Sequence, residues 1–280
     1  MTDIISVEGK ISTKDGTQIF FLKDMPPQPK AIVIIVHGVA EHCGRYGYTA
    51  ERFNKFGYGV YRYDNRGHGR SGGARGYAKS FLDFVEDADL IVEMAKRENA
   101  ELPIFMLGHS MGGFIAAAYG VEYPNKLNGQ ILSGAAVIEL PLKDVQLLKK
   151  LPFNLLPKLL VGNKLGKIVS RDPKVVEAYG TDIYNLKKTT LKLSGEMFIK
   201  GPAWLGKNIS KYIMPCFIIH GGGDLIVTPK ASEWLLENIS SKDKERKVYE
   251  GLYHEILNEK EKDMVLEDIH KWIAKHIQSI

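Results

Sequence analysis

The sequence predicts an α/β protein: a mostly parallel central sheet flanked by helices, with one helical insertion. Three observations carry that expectation. Residues 31–36 read AIVIIV, an apolar run with no polar face, as a central strand covered by helices on both sides requires. Strand-like and helix-like segments alternate along most of the chain. One stretch, residues 138–209, breaks that rhythm with short helical patterns separated by Pro141, Pro152, Pro157 and Pro173.

In chain order, residues 9–13 and 18–22 alternate around Asp15-Gly16 and predict a hairpin. Three prolines in residues 25–30 mark a surface connector before the AIVIIV strand. Residues 46–56 read as a helix stopped at Gly57, and residues 58–63 as the next strand. Phe84, Val85, Ala88, Ile91, Val92 and Ala95 recur at helical spacing within residues 81–99. A strand over 103–107, a helix over 111–123 and a strand over 127–132 follow. After the insertion come strands at 216–220 and 246–249, followed by helices at 230–239 and 259–277 respectively. The expected domains are therefore a core of residues 1–137 and 210–280 and a helical cap of residues 138–209.

Composition excludes several classes. Of 280 residues, 44% are hydrophobic and 25% charged, close to globular averages, so a disordered or fibrous chain is excluded. Lys and Arg number 38 against 33 Asp and Glu, a net charge of +5 that no local run concentrates. A nucleic-acid partner is not expected. Cys43 and Cys216 are far apart and match no metal or disulfide pattern, which fits a reducing, cytoplasmic setting. The first ten residues carry Asp3 and Glu8 and have no apolar targeting core. No metal and no cofactor is expected, and the composition leaves the oligomeric state open.

Gly108-His109-Ser110-Met111-Gly112 fits G-x-S-x-G between an apolar strand and a helix. A serine at such a turn projects its hydroxyl above the sheet, beside the free N–H groups of the helix start. A serine hydroxyl needs an adjacent base, and in this arrangement the partners follow as an acid and then a histidine. Asp224 follows the strand at 216–220, and His254 follows the strand at 246–249, so both fall on the sheet edge that carries Ser110. Asp64 and Asp172 compete for the acid role, but order and strand-end placement favour Asp224. The loop after AIVIIV, His37-Gly38-Val39-Ala40-Glu41-His42, is the expected second source of oxyanion donors, with the N–H groups of Val39 and Met111 assigned. His37 is expected to be structural, as is the Asp64-to-Ser71 loop.

These segments carry a resemblance. HGVAEHCGRY (37–46), YDNRGHGRS (63–71), LGHSMGG (107–113), HGGGDLIVTP (220–229) and YEGLYHEILNE (249–259) are similar to the motifs of α/β-hydrolases of the monoacylglycerol lipase and lysophospholipase family. The resemblance implies the α/β-hydrolase fold, a triad of Ser110, Asp224 and His254, oxyanion donors at Val39 and Met111, and a mobile cap. It also implies that Glu41, Arg45 and Tyr179 hold the glycerol end of a lipid ester carrying one acyl chain. The chain departs from the family at Val39 and Ala40, where the loop usually reads HG-small-GEH.

The cap is leucine-rich from 140 to 161, with interleaved lysines such as Lys143, Lys149, Lys150 and Lys158. One reading packs these leucines on the core. The other lays the segment on an anionic bilayer in transient, peripheral contact. An apolar acyl pocket beneath the cap suits either. The expected function is a serine esterase cleaving monoacylglycerol to fatty acid and glycerol. A lysophospholipase or general carboxylesterase on the same triad is the alternative. A serine aminopeptidase ranks lower, because the cap is basic. A non-catalytic binding module is set aside because the Ser-Asp-His set is intact.

Overall fold

The computed structural model describes residues 4–140, 153–163 and 165–278. Its main sheet has eight strands, and the AIVIIV run sits inside it. The strands are β1 (Ile5–Ser12), β2 (Gln18–Met25), β3 (Ala31–Val36), β4 (Tyr58–Tyr63), β5 (Ile104–His109), β6 (Gly129–Ser133), β9 (Cys216–Gly221) and β10 (Lys244–Tyr249). Their spatial order is β1-β2-β4-β3-β5-β6-β9-β10. The β1–β2 and β2–β4 pairs are antiparallel, and every later pair in the sheet is parallel. The hairpin turns at Asp15-Gly16 as expected, with Gly16 at φ 82°.

All six residues of β3 are buried, and they divide by parity. Ile32, Ile34 and Val36 face a core shared with Phe84, Ala88 and Ile91 of α2 (Leu82–Glu98) and with Phe114 and Ile115 of α3 (Met111–Glu122). Ala31, Val33 and Ile35 face the other core, shared with Ala50 and Phe53 of α1 (Gly47–Lys55) and with Leu266, Ile269 and Ile273 of α8 (Lys262–Ile277). Period-two side-chain placement on a strand covered by two helical layers produces this split. Each fully buried aliphatic side chain contributes roughly 1.5–3 kcal/mol, so β3 anchors the sheet from both faces. Parallel strands present their C-terminal ends on one edge, and that edge carries the loops that matter below.

The expected elements differ from the observed ones mainly at their ends. Strand β5 runs on to His109 and delivers Ser110 directly. The helix expected over 46–56 is a 3-10 turn, Cys43–Tyr46, followed by α1. Helix α8 begins at Lys262 instead of 259, because Glu259 is used otherwise: its carboxylate accepts the N–H groups of Arg171 and Tyr253.

Between β6 and β9 the described residues form short pieces: β7 (Leu160–Gly162), α4 (Pro173–Thr181), β8 (Lys188–Thr190), α5 (Leu191–Gly195) and α6 (Gly201–Asn208). β7 and β8 pair as a two-stranded antiparallel sheet that no alternation in the sequence signals, since each strand has only three residues. Much of the leucine-rich run, residues 141–152, lies outside the described residues, as do Leu142, Leu147, Leu148, Leu151, Lys143, Lys149 and Lys150. Residues 153–159 are turns and bends where short helical patterns were expected, and Leu155, Leu156 and Leu159 there, with Leu160 at the start of β7, are exposed. This segment is tied to the sheet edge by the Leu186 N–H donating to Ala40 O (2.8 Å), the Glu255 N–H donating to Val169 O (2.8 Å) and the His42–Asp182 pair (2.8 Å). Among the described residues, no helix is long and apolar enough to cross a membrane.

Candidate active site

The turn between β5 and α3 is built by close approach. A Cβ on Gly108 would lie 2.3 Å from Gly112 O, and a Cβ on Gly112 would lie 2.1 Å from Val36 O. Only glycine lets the helix start so near the sheet. Ser110 itself takes φ 55°, ψ −117°, an uncommon backbone for a residue with a side chain. Its surroundings hold it there: its N–H donates to Ser133 O (2.9 Å), and its carbonyl accepts from Phe114 (3.1 Å) and Ala136 (3.0 Å). Met111 opens the twelve-residue helix α3, so its N–H belongs to the first turn, where donors lack intrahelical acceptors.

The loop after β3 wraps the other side of Ser110. His37 is fully buried; its Nε2 accepts the Asn65 N–H (2.9 Å), so its Nδ1 donates to Gly38 O (2.7 Å). Burial pushes the His37 pKa down to about 4, against a partial counter-pull from Asp64. The imidazole is therefore a neutral brace, as expected. The Gly38 N–H donates to Glu41 Oε1 (2.5 Å), and a Cβ on Gly38 would lie 2.7 Å from that oxygen and 3.1 Å from Ser110 Cβ. Ala40 stands at φ 62°. Asp64 accepts the N–H groups of Cys43 (2.8 Å) and Arg70 (2.6 Å), which makes it part of the scaffold.

Asp224 and His254 meet at the same edge. Asp224 Oδ1 accepts the N–H groups of Ile226 (2.8 Å) and Val227 (2.9 Å). Its Oδ2 faces His254 Nδ1 at 2.6 Å and His220 Nε2 at 3.2 Å. Burial alone would raise the Asp224 pKa, but the attraction of His254 and the hydrogen bonds from His220 and His254 hold it well below the usual carboxylate range. Burial opposes a charge on His254, and Asp224 outweighs that, with Glu255 and Glu41 adding to the pull, so its pKa is raised. The ring also packs against His109, centroids 4.6 Å apart, and burial pushes the His109 pKa down to about 4.

Ser110, His254, Gly38, Val39, Glu41, His109, Ile226 and Glu255 line one small cavity together with Leu165, Val169 and Tyr179 from the segment between β6 and β9. Its volume is about 20 Å³, room for roughly one water. Of the residues expected at a glycerol end, Glu41 and Tyr179 line this cavity and Arg45 does not. Arg45 is turned into ion pairs with Glu41 (2.6 Å) and Glu255 (2.7 Å), with its guanidinium 4.7 Å from the Tyr179 ring centre. A much larger cavity, about 850 Å³, lies elsewhere, along Asp15, Arg66, Asp83, Glu86, Asp87 and Glu93. It holds no serine–histidine–carboxylate set, so size does not locate the chemistry here.

Three residues at the site were not singled out in the sequence as members of it: Glu255, His220 and His109. Glu255 directly follows the predicted base and His109 directly precedes the predicted nucleophile, so adjacency was the signal available.

Comparison with known proteins bears on this geometry. A family model described as serine aminopeptidase, S33, matches residues 27–261. The chain is 38% identical to the monoacylglycerol lipase of Mycolicibacterium smegmatis over 255 residues, covering 89% of this chain and 90% of that one. The chain belongs to this family. It is a serine ester hydrolase of the α/β-hydrolase fold. It is also 31% identical to the monoglyceride lipase of Mus musculus, over 94% of this chain and 89% of that one. Among solved structures, this hydrolase is similar to the Paleococcus ferrophilus monoacylglycerol lipase, with TM-score 0.81, 29% identity and coverage of 98% and 99%. A soluble variant of the Saccharomyces cerevisiae monoglyceride lipase superposes with TM-score 0.86 at 25% identity, covering 98% of this chain and 96% of that one.

Proposed function

We propose that this hydrolase cleaves monoacylglycerol to fatty acid and glycerol through an acyl-enzyme on Ser110. The observation that carries the reading is that His254, paired with Asp224 at 2.6 Å, lines the same cavity as Ser110, in a chain that matches monoacylglycerol lipases over nearly its whole length. His254 takes the proton of Ser110 as its oxygen attacks the ester carbonyl. The N–H groups of Val39 and Met111 receive the oxyanion, a contribution whose loss typically costs about 100- to 1000-fold in rate. The C–O bond to glycerol breaks, and the protonated His254 gives its proton to the departing oxygen. A water then attacks the acyl carbonyl, losing its proton to His254, and the bond to Ser110 breaks as His254 returns that proton to the serine oxygen and the fatty acid leaves. Asp224 holds the imidazole in the tautomer this needs.

Glu41 and Tyr179 line the cavity and supply acceptors and a hydroxyl for a glycerol end. Residues 138–209 act as the cap. Leu165, Val169 and Tyr179 must withdraw to admit an acyl chain, since the cavity holds only about 20 Å³. The exposed Leu155, Leu156, Leu159 and Leu160 beside Lys158 suit transient contact with a lipid surface.

The deciding experiment compares rates on 1-monoacylglycerol, lysophosphatidylcholine and an aminoacyl amide, for the wild type and Ser110→Ala. Monoacylglycerol turned over fastest, with activity abolished in the variant, is the expected result. Fastest turnover of lysophosphatidylcholine or the amide would replace the substrate reading. Undiminished turnover in Ser110→Ala would remove the nucleophile.

A further inference from the structure

We propose that Arg45 and Glu255 are positioning residues: a buried ionic clamp that fixes the oxyanion loop, the base loop and the overlying segment in one register around Ser110. The proposal rests on the triad reading above and goes beyond it. Both Arg45 Nη atoms are engaged with Glu255, Nη1 to Oε1 and Nη2 to Oε2, each at 2.7 Å. Nη1 also donates to Glu41 Oε2 at 2.6 Å. The side chains of Arg45, Glu41 and Glu255 are 9%, 3% and 4% exposed, so solvent screens this network little.

Each end of the clamp reaches a group the reaction uses. On one side, Glu41 Oε1 accepts the Gly38 N–H at 2.5 Å and the Tyr46 hydroxyl at 2.8 Å. That fixes the loop offering Val39. On the other side, Glu255 is the residue after His254. Its carboxylate also accepts from Asn258 Nδ2 (2.8 Å), and its N–H donates to Val169 O (2.8 Å). Side chain and backbone of Glu255 are thus both held, which leaves the preceding imidazole little freedom to turn. The third contact is the Tyr179 ring over the Arg45 guanidinium. A bidentate guanidinium–carboxylate pair is directional in a way a lysine pair is not, which suits a device that sets register.

A buried ion pair is weak evidence for stability, since its desolvation cost rivals its attraction. Positioning makes a different claim, and charge supplies its signature. The groups facing the His254 imidazole are Asp224, the neutral His109 ring, and the clamp carboxylates Glu41 and Glu255. Two carboxylates against one guanidinium leave the clamp negative, which favours the imidazolium. Acylation needs the neutral imidazole, so the acid limb of the rate profile follows the His254 pKa. Glu255→Gln removes a negative charge and moves that limb to lower pH. Arg45→Lys keeps the charge and loses the fork, so it lowers kcat with the limb in place.

The test measures kcat, KM and the pH profile on a short-chain p-nitrophenyl ester, the labelling of Ser110 by a fluorophosphonate, and thermal unfolding, for the wild type, Glu255→Gln and Arg45→Lys. Expected is a tenfold or greater loss of kcat in both variants at little-changed KM, with the acid limb lowered only in Glu255→Gln. If one variant does not fold, the kcat loss and the position of the limb in the other decide. Lowered unfolding temperature with kcat within twofold of wild type and an unmoved limb would make the pair merely structural and overturn the proposal. A wild type whose Ser110 the probe does not label would overturn the triad reading on which the proposal rests.

Discussion

His220 and His254 donate to the same oxygen of Asp224, at 3.2 Å and 2.6 Å. His220 Nε2 also lies 2.7 Å from Val227 O, an oxygen that can only accept, so this nitrogen carries the proton. The Asp224 carboxylate therefore receives three N–H groups of its own, two from backbone and one from the base, and a share of a fourth, the His220 N–H that also meets Val227 O.

Replacing His220 by Phe keeps an aromatic volume at the end of β9 and removes one of the four donors. A hydrogen bond to a charged group contributes about 1.5–3 kcal/mol, so the variant should lose stability of that order in urea unfolding. Asp224 would then be held by three donors, the Ile226 and Val227 N–H groups and His254, with its Oδ2 side less constrained and His254 with it. A kcat loss of about tenfold follows if roughly 1.4 kcal/mol of transition-state stabilisation goes with the brace. An unchanged kcat together with unchanged stability would show that His220 only fills space.

The oxyanion loop gives a paired prediction. Gly38→Ala drives a Cβ to 2.7 Å from Glu41 Oε1 and 3.1 Å from Ser110 Cβ, so it displaces the loop or the nucleophile. Activity should fall about 100-fold or more, the scale of losing an oxyanion donor. Ala40→Gly is the contrast. Ala40 bears a left-handed strain of about 1–2 kcal/mol, which glycine relieves. Glycine gives back about 0.4–1 kcal/mol through the freer unfolded chain. The net should be a stability gain of about 1 kcal/mol or less with activity retained. A large loss in Ala40→Gly would mean the methyl itself shapes the site.

Much of this was legible because chemistry and topology coincide in the chain. The strand-turn-helix around Ser110 and the two strand ends before Asp224 and His254 are local patterns, and a parallel sheet gathers its C-terminal ends on one edge without further instruction. The Arg45–Glu255 contact is different. Its partners are 210 positions apart, and neither residue sits in a periodic pattern that shows which way it points. Arg45 reads equally well as a substrate ligand until its two Nη atoms are placed. The β7–β8 pair was hidden for another reason: three residues are too few to show alternation.

Buried histidines set the acid stability. Burial pushes the pKa of His37 and His109 down to about 4 and that of His68 down to about 3. In the unfolded chain each titrates near about 6.5. Their folded values are depressed, so the unfolded chain takes up protons first. Stability is full above about pH 6.5 and is lost as pH falls toward 4. His254 has the opposite sign: its folded pKa is raised, so its contribution is full at low pH and fades as pH rises through that value. These three groups, joined by the half-buried His270 whose pKa burial also lowers, outweigh one. The urea midpoint should fall steadily from about pH 6.5 down to 4.5, before most carboxylates titrate. A flat midpoint across that interval would contradict the buried, neutral assignment of these rings.

The charge on the cavity wall bears on the alcohol that leaves. Glu41 and Glu255 both line the cavity, and the Arg45 guanidinium is already shared between the two. A neutral glycerol offers these carboxylates hydroxyl donors. A phosphate in its place brings like charge into a site with little solvent, where two charges about 4 Å apart repel by several kcal/mol at an effective dielectric near 20. Monoacylglycerol should therefore exceed lysophosphatidate of the same acyl chain by at least about 100-fold in kcat/KM, the equivalent of about 2.7 kcal/mol. Because the charges are buried, added salt should leave most of that ratio in place. The ratio should narrow in Glu255→Gln, where one carboxylate is gone, even though the absolute rates fall. Equal kcat/KM for the two lipids in the wild type would show that the alcohol is held away from this wall.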